Sequence, residues 1–405
     1  MSSKCPLSSL LATKDRVPHS FYEQLHAAGD IHWDADMNGW LVVSHDICKQ
    51  VLSNEHRFRH PYADADATMI EVKGGARNIT VLQGEEHDRM HRYLMKLFAP
   101  DNIRLYTEHH IIPVTTFLLD RIAGKGRAEL FDSFCKPLPG RTFMSLFGME
   151  APDDAFMAHI VALHDAIMHW AGGRHYLGDD ATRDALAASQ ELNDILLPYI
   201  RKRRVDPADD LMGRLWAEAP EQLGDIGDSD MLAICRELYL AGSDTTVLAM
   251  ANAIYLLLGD RALYQRIRDD RDGKLLDNFI EEVMRTHGSV EYRYRIANQD
   301  IELGGQAVKK DQIVFTINAA ANRDPDRYPR PARIDLNRPR PRDHIAFNTG
   351  PRICVGAALA RAEMRIGLRA LIDHLPNLRL DGDAEQPAFK GFFTRAWQPL
   401  NVLFD

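Results

Sequence analysis

The residues best suited to chemistry lie near the C-terminal end, in the run Phe347-Asn348-Thr349-Gly350-Pro351-Arg352-Ile353-Cys354-Val355-Gly356. The glycines and proline make a tight loop, and the amphipathic run AALARAEMRIGLRALIDHL predicts a helix that begins just after the cysteine. A cysteine at a helix N-terminus faces free backbone N–H groups and the positive end of the helix dipole. Both favour the thiolate, and Arg352 adds positive charge nearby. A lone cysteine becomes a permanent anionic metal ligand in this way, without a second cysteine. Cys5, Cys48, Cys135 and Cys235 share none of this context; the five are widely spaced, with no Cys-x-x-Cys pair and no disulfide framework.

A second set of residues interrupts a long apolar segment, Ser229 to Leu258. Ser229 is suited to cap a helix there, Asp230 sits in its first turn and Gly259-Asp260 ends it. Thirty residues at 1.5 Å rise span about 45 Å, enough to cross a whole domain. The second half, VLAMANAIYLLL, is apolar almost all round, as a helix buried in a large core must be. Its middle reads Ala241-Gly242-Ser243-Asp244-Thr245-Thr246. Glycine inside a helix costs about 1 kcal/mol relative to alanine, and Asp and Thr are poor helix formers. Local rules broken in the centre of a core helix often mark function.

The loop FNTGPRICVG resembles the cysteine-ligand loop of the cytochromes P450, whose pattern is Phe-x-x-Gly-x-Arg/His-x-Cys-x-Gly; Phe347, Gly350, Arg352, Cys354 and Gly356 fill its fixed positions. The resemblance runs from Pro18 to Phe404 and brings further matches in order. Ala241-Gly242-Ser243-Asp244-Thr245 resembles the family's oxygen-binding groove. There Gly242 would let the backbone approach haem, a distorted helix would leave room for O₂ and water, and Asp244 with Thr245 would relay protons. Glu282-Val283-Met284-Arg285 is similar to the family's Glu-x-x-Arg, a structural pair on one helix face that would lock with Arg338. The two haem propionates need charged or hydrogen-bonding partners, and the resemblance assigns these to Arg295, Arg352 and His87. The family's usual Arg four residues after that His is His91 here, with Arg92 beside it, so either residue is a candidate for the remaining contact.

The family implies a mainly α fold with small β-sheets, in which haem b (heme, iron protoporphyrin IX) is held between the long central helix and the cysteine-bearing helix. It also implies a monooxygenase that oxidises a small organic substrate with O₂ and two electrons. No nucleotide fingerprint follows a predicted strand and no Cys₄ iron–sulfur spacing is present. The electrons are therefore expected from a ferredoxin and its NAD(P)H-dependent reductase, docking on basic residues such as Arg89, Arg92 and Arg361. A peroxide-using peroxygenase or isomerase, or a non-catalytic haem sensor, are the competing functions, and the pair Asp244-Thr245 speaks against both. Expected pocket walls are the Tyr62 to Val81 loop, a lid near Met157 to Tyr176, Val290, and Phe392-Phe393. The run Ser289-Val290-Glu291-Tyr292-Arg293-Tyr294 is polar where the family usually offers apolar groups. Glu291 and Arg293 would pair with each other or with a propionate. Alternatively, Arg293 or a tyrosine hydroxyl would hold a polar group on the substrate while Phe392 and Phe393 pack against its ring.

The elements that must position these residues read as one large, mostly helical domain, 1–405. The composition, 45% hydrophobic and 26% charged, is ordinary for a globular chain, and no linker or repeat divides it. Short strands are predicted at His32-Trp33 and Trp40 to Val43, and a helix over Ile47 to Leu52. From Asp101 to Leu258 the periodicity is helical, as over Ile111 to Ile122, Asp154 to Trp170 and Thr182 to Arg203. Strands return at Ile301 to Leu303 and Gln312 to Ile317, and the tail from Leu378 to Phe404 reads as strand-poor. A net charge of -9 argues against a nucleic-acid partner. The local clusters Arg201 to Arg204 and Arg338 to Arg342 have acidic neighbours and read as solvated surface. The N-terminal residues lack a signal-peptide pattern, and the apolar run Val247 to Leu258 is shorter than the roughly 20 residues that span a bilayer. The expectation is a cytoplasmic monomer with no membrane attachment.

Overall fold

The structure, a computed structural model, describes residues 9–149, 152–173 and 178–405. The chain divides into two compact units, neither of them a contiguous stretch. The described residues up to Pro61, with Thr115–Cys135 and Thr245–Asp405, form one unit; Tyr62–Val114 and Lys136–Asp244 form the other.

The first unit carries every strand among the described residues. Its largest sheet has five strands, in the order Ile31–Asp34, Gly39–Val42, Ile313–Thr316, Arg293–Ala297 and Phe58–Arg59. Trp40 pairs in parallel with Val314, and Tyr294 pairs antiparallel with Phe315. One face packs on Val42, Val51, Leu52, Phe58 and Ile345, and the other on Phe21, Leu25, Leu41 and Ile317. Burying these side chains supplies on the order of 1.5–3 kcal/mol each.

The tail is not strand-poor. It contributes Arg379–Leu380, Ala388–Gly391, Arg395–Gln398 and Asn401–Leu403. Each is two to four residues long, too short for alternation to show, and Asn401–Leu403 pairs with the distant Arg127–Glu129.

The helix Lys274–His287 presents Glu282 and Arg285 side by side, fully buried. The Nε and Nη2 of Arg285 donate to Glu282 at 2.7 and 2.9 Å, and Arg338 Nε donates to the same carboxylate at 2.7 Å. Arg285 also donates to the carbonyls of Asn322, Pro331 and Arg333, so it pins the stretch ahead of the cysteine loop. The expected lock with Arg338 is present.

The long helix runs over Asp228–Gly259, one residue beyond the expected bounds at each end. It is continuous through Ala241 to Thr246, where tertiary packing overrides the weak local propensity. Its second half belongs to the first unit. Asn252, fully buried there, donates to the carbonyls of His287 and Arg395 and accepts from Trp397 N. By length and composition this helix could cross a bilayer, but 67% of its apolar window is buried inside the protein.

The second unit is helical throughout: Ala67–Val72, Gly84–Leu97, Pro100–Tyr106, Pro137–Leu146, Asp154–Gly173, Asp179–Val205 and Leu211–Leu223 accompany the first half of the long helix. The expected loop Tyr62 to Val81 thus contains a short helix, and part of the expected lid, 174–177, lies outside the described residues. The arginine cluster before the long helix is only partly a solvated face. Arg201 and Arg204 are exposed and share Asp228, whereas Arg203 turns inward to Asp210.

Candidate active site

The cysteine loop is fixed by its own backbone. Cys354 N donates to Phe347 O at 2.8 Å, Ile353 N to Gly350 O at 3.2 Å, and the Asn348 side chain to Arg352 O at 2.8 Å. Gly350 has φ 71°, and a Cβ on it would meet Ser53 Cα at 2.7 Å, so only glycine fits. Gly356, by contrast, has an ordinary φ of −87° and faces open space, so the chain's own packing does not demand glycine there. The helix Ala357–His374 starts immediately after it. Phe347 lies under the guanidinium of Arg361, 4.4 Å from its ring centre.

Cys354 is partly accessible, while Cys48, Cys135 and Cys235 are buried; Cys5 lies outside the described residues. Burial raises the Cys354 pKa, opposed by the backbone N–H groups of Gly356 and Ala357 and by Arg293 and Arg361. Helix-end N–H groups do favour the thiolate, as expected. The cation expected to help was Arg352, and here the structure corrects the sequence: Arg352 gives its Nε to Glu55, across the first unit.

Arg293 and Arg295 stand two apart on the strand Arg293–Ala297 and share one of its faces. Arg293 Nη2 donates to Ala346 O at 3.1 Å and Arg295 Nη1 to Tyr294 O at 3.0 Å. Arg293 Nη1 and Arg295 Nε and Nη2 are buried and find no hydrogen-bond partner among the described residues. Burial lowers both pKa values to about 10; Cys354 pulls Arg293 back up, while Arg352 and Arg293 push Arg295 further down. Glu55 pulls Arg295 back up, but buried guanidinium N–H groups without an acceptor are costly, so this pair is suited to further negative charge.

Arg293 does not pair with Glu291, one of the alternatives considered from sequence. Glu291 accepts from Tyr22 Oη at 2.5 Å and lies 3.7 Å from Arg395. Nor does Arg293 join the aromatic group expected beside it. Val290 bridges Thr394, Glu291 N donates to Phe393 O, and Tyr292 packs edge-on against Phe392 and Phe393 at 5.6 and 5.3 Å. Val290, Phe392 and Phe393 are thus brought together, and Arg293 faces Cys354 instead.

In the second unit, Gly242 has a different role from the one expected. A Cβ there would lie 2.2 Å from the ring of Phe143, so the glycine admits an aromatic side chain of the helix Pro137–Leu146. Asp244, two residues on, has its pKa raised by burial, against the pull of His164 and Lys136. His87 is buried on the helix Gly84–Leu97, bonds Asp88 at 3.1 Å and packs ring to ring with His91 at 5.6 Å. Arg92 is exposed and donates to Asp88 O, so His91, not Arg92, shares the face of His87.

The match to known proteins covers nearly all of this framework: residues 7–402 fit the profile of the family described as Cytochrome P450. The chain belongs to the cytochrome P450 family. The P450 monooxygenase PikC of Streptomyces venezuelae is 30% identical over 372 residues, 90% of this chain and 85% of that one. The C-19 steroid 1alpha-hydroxylase of Sorangium cellulosum is 31% identical over 321 residues, 77% of each. The structure of cytochrome P450 260B1 from Sorangium cellulosum superposes with a TM-score of 0.84 at 26% identity, over 96% of both chains.

This P450 is an oxidoreductase of the bacterial monooxygenase type, acting on small organic molecules with haem b as cofactor. The residues present fit that group. Haem b brings two carboxylates, and Arg293 and Arg295 are two buried cations with N–H groups that find no acceptor among the described residues. The contacts of Glu55 with Arg352 in the first unit, and of His164 and Phe143 with the long helix in the second, were not legible in sequence, because each joins residues far apart along the chain.

Proposed function

We propose that this P450 is a cytoplasmic monomer that ligates haem iron through Cys354. It receives two electrons from a ferredoxin served by an NAD(P)H-dependent reductase. The observation that carries the ligand assignment is a partly accessible cysteine at a helix N-terminus, beside two buried guanidiniums that each keep N–H groups without a hydrogen-bond partner among the described residues. Haem supplies the redox-active iron at which O₂ is activated, and the thiolate ligand favours O–O cleavage.

The chain's own residues do the rest. The N–H groups of Gly356 and Ala357 hold the thiolate, and coordination deprotonates it outright. Arg293 and Arg295 take the two carboxylates, with Arg352 kept in place by Glu55. Asp244 and Thr245 hold and move protons on the long helix. Val290, Phe392 and Phe393, packed around Tyr292, offer an aromatic wall to a compact, ring-containing substrate. The steroid hydroxylase among the relatives supports that class.

Arg89 and Arg92 are exposed and remain candidates for ferredoxin docking. Arg361 is not, because it donates to both oxygens of Glu281. The test is NADH oxidation by the holoenzyme with a plant-type ferredoxin and its reductase, run across a salt series. Reduction should depend on the ferredoxin and weaken as salt rises. Turnover with hydrogen peroxide alone, and none with the electron-transfer pair, would replace this reading with a peroxygenase.

A further inference from the structure

We propose that His164 is a positioning residue for Asp244, holding a positive charge over the helix turn that ends on Asp244 and tying that turn to the exposed carboxylate of Asp165. This deepens the reading that Asp244 handles protons, and rests on it.

His164 lies on the helix Asp154–Gly173 and is 5% exposed. Its Nε2 is 3.2 Å from Leu240 O and its Nδ1 is 3.3 Å from Asp165 Oδ1. A carbonyl oxygen accepts and never donates, and so does an ionised carboxylate. Both ring nitrogens therefore face acceptors, and only the imidazolium, with two N–H groups, satisfies both. Leu240 is one helical turn before Asp244, so the bond to its carbonyl fixes the charge on the turn that carries the acid.

A buried cation needs an anion, and among the carboxylates of that helix Asp244, one turn beyond Leu240, is the one that acts on His164. Burial works against the charge on His164, but Asp165, Asp244 and the Leu240 carbonyl outweigh it and raise its pKa. The remaining titratable groups around the pair are Lys136, which also favours ionised Asp244, and the Tyr239 hydroxyl, whose pKa burial raises. Asp165 is 60% exposed, which gives the cluster a contact with water.

The consequence is a pH dependence with a defined sign. Below the raised His164 pKa the countercharge is present and favours the ionised form of Asp244. As pH rises through that value the charge is lost, and Asp244 is left with burial and Asp165 against its ionised form and Lys136 in favour of it.

The experiment uses the haem-loaded enzyme. Imidazole NMR in the CO-bound ferrous state should show His164 titrating above the ordinary value of about 6.5, and Asp244→Asn should lower it by about one unit, a tenfold change in the protonation ratio. In parallel, NADH-driven reduction of O₂ without organic substrate is read as the ratio of hydrogen peroxide to water. His164→Gln should raise that ratio about tenfold at neutral pH and remove the alkaline limb of its pH profile. His164→Lys should restore the native ratio and carry the limb to higher pH. A His164 titration unmoved by Asp244→Asn, or a His164→Gln profile parallel to the native one, overturns the proposal. If the titrations are coupled but Asp244→Asn leaves the ratio at its native value, the proton role of Asp244 is what fails, and the proposed function of His164 fails with it.

Discussion

Arg352, two residues before Cys354, is ion-paired with Glu55, from the segment that follows the helix His45–Leu52. The pairing spends on the protein a charge that the family pattern reserves for the cofactor. It leaves Arg293 and Arg295 as the guanidiniums with free N–H groups on that side of the first unit.

Haem retention should follow that pairing. Arg293→Leu and Arg295→Leu should each speed transfer of haem to apomyoglobin by roughly 10- to 100-fold, since a hydrogen bond to a charged group contributes about 1.5–3 kcal/mol. Arg352→Leu should have the smallest effect of the three. The reverse order would return the anchor to Arg352.

The ligand assignment predicts that Cys354→Ser loses the CO-bound spectrum that names the family. Cys48, Cys135 and Cys235, all buried with pKa values raised by desolvation, should be replaceable by alanine without that loss.

Thr245→Ala should keep NADH consumption while diverting most of it to hydrogen peroxide. Proton delivery by a positioned group is typically a factor of about 10² to 10⁴, so oxidised product should fall far more than electron use. Thr246, 3% exposed, is the control, and unchanged coupling in Thr245→Ala would sink the assignment.

Glu282→Ala strands Arg285 and Arg338 as buried cations beside one another. Removing one partner of a buried ion pair costs about 3–5 kcal/mol, so the urea midpoint should fall steeply. A loss under 1 kcal/mol would show that the triad is not a structural lock.

Glu281 gives the acid limb of stability. Burial raises its pKa, but His344 and Arg361 outweigh this and bring it down to about 2. A folded value below the unfolded one means the carboxylate stabilises the fold above roughly pH 4.3, and the contribution is lost as pH falls from there to about 2. Glu281→Gln should flatten the stability–pH curve in that window, as measured by denaturant titration.

The sequence by itself determined the cysteine loop and the long helix to within one residue at each end, and the family resemblance supplied the Glu282–Arg285–Arg338 lock. The first two are local features: a tight Gly-Pro turn, and a long helical segment with a cap at one end and Gly-Asp at the other. Val290, Phe392 and Phe393, expected from the family resemblance to wall one pocket, do lie together.

Tertiary structure alone decided where charges are spent. Whether Arg352 meets Glu55 or a cofactor depends on a segment 297 residues away, and whether Gly242 admits a ligand or Phe143 depends on another helix. The continuity of the long helix through its worst helix formers, the short strands of the tail and the charge held by His164 are of the same kind. Propensity and spacing act over a few residues, about a turn of helix. Desolvation and ion pairing act through space, and they assign each buried charge its partner only once the fold has brought the candidates together.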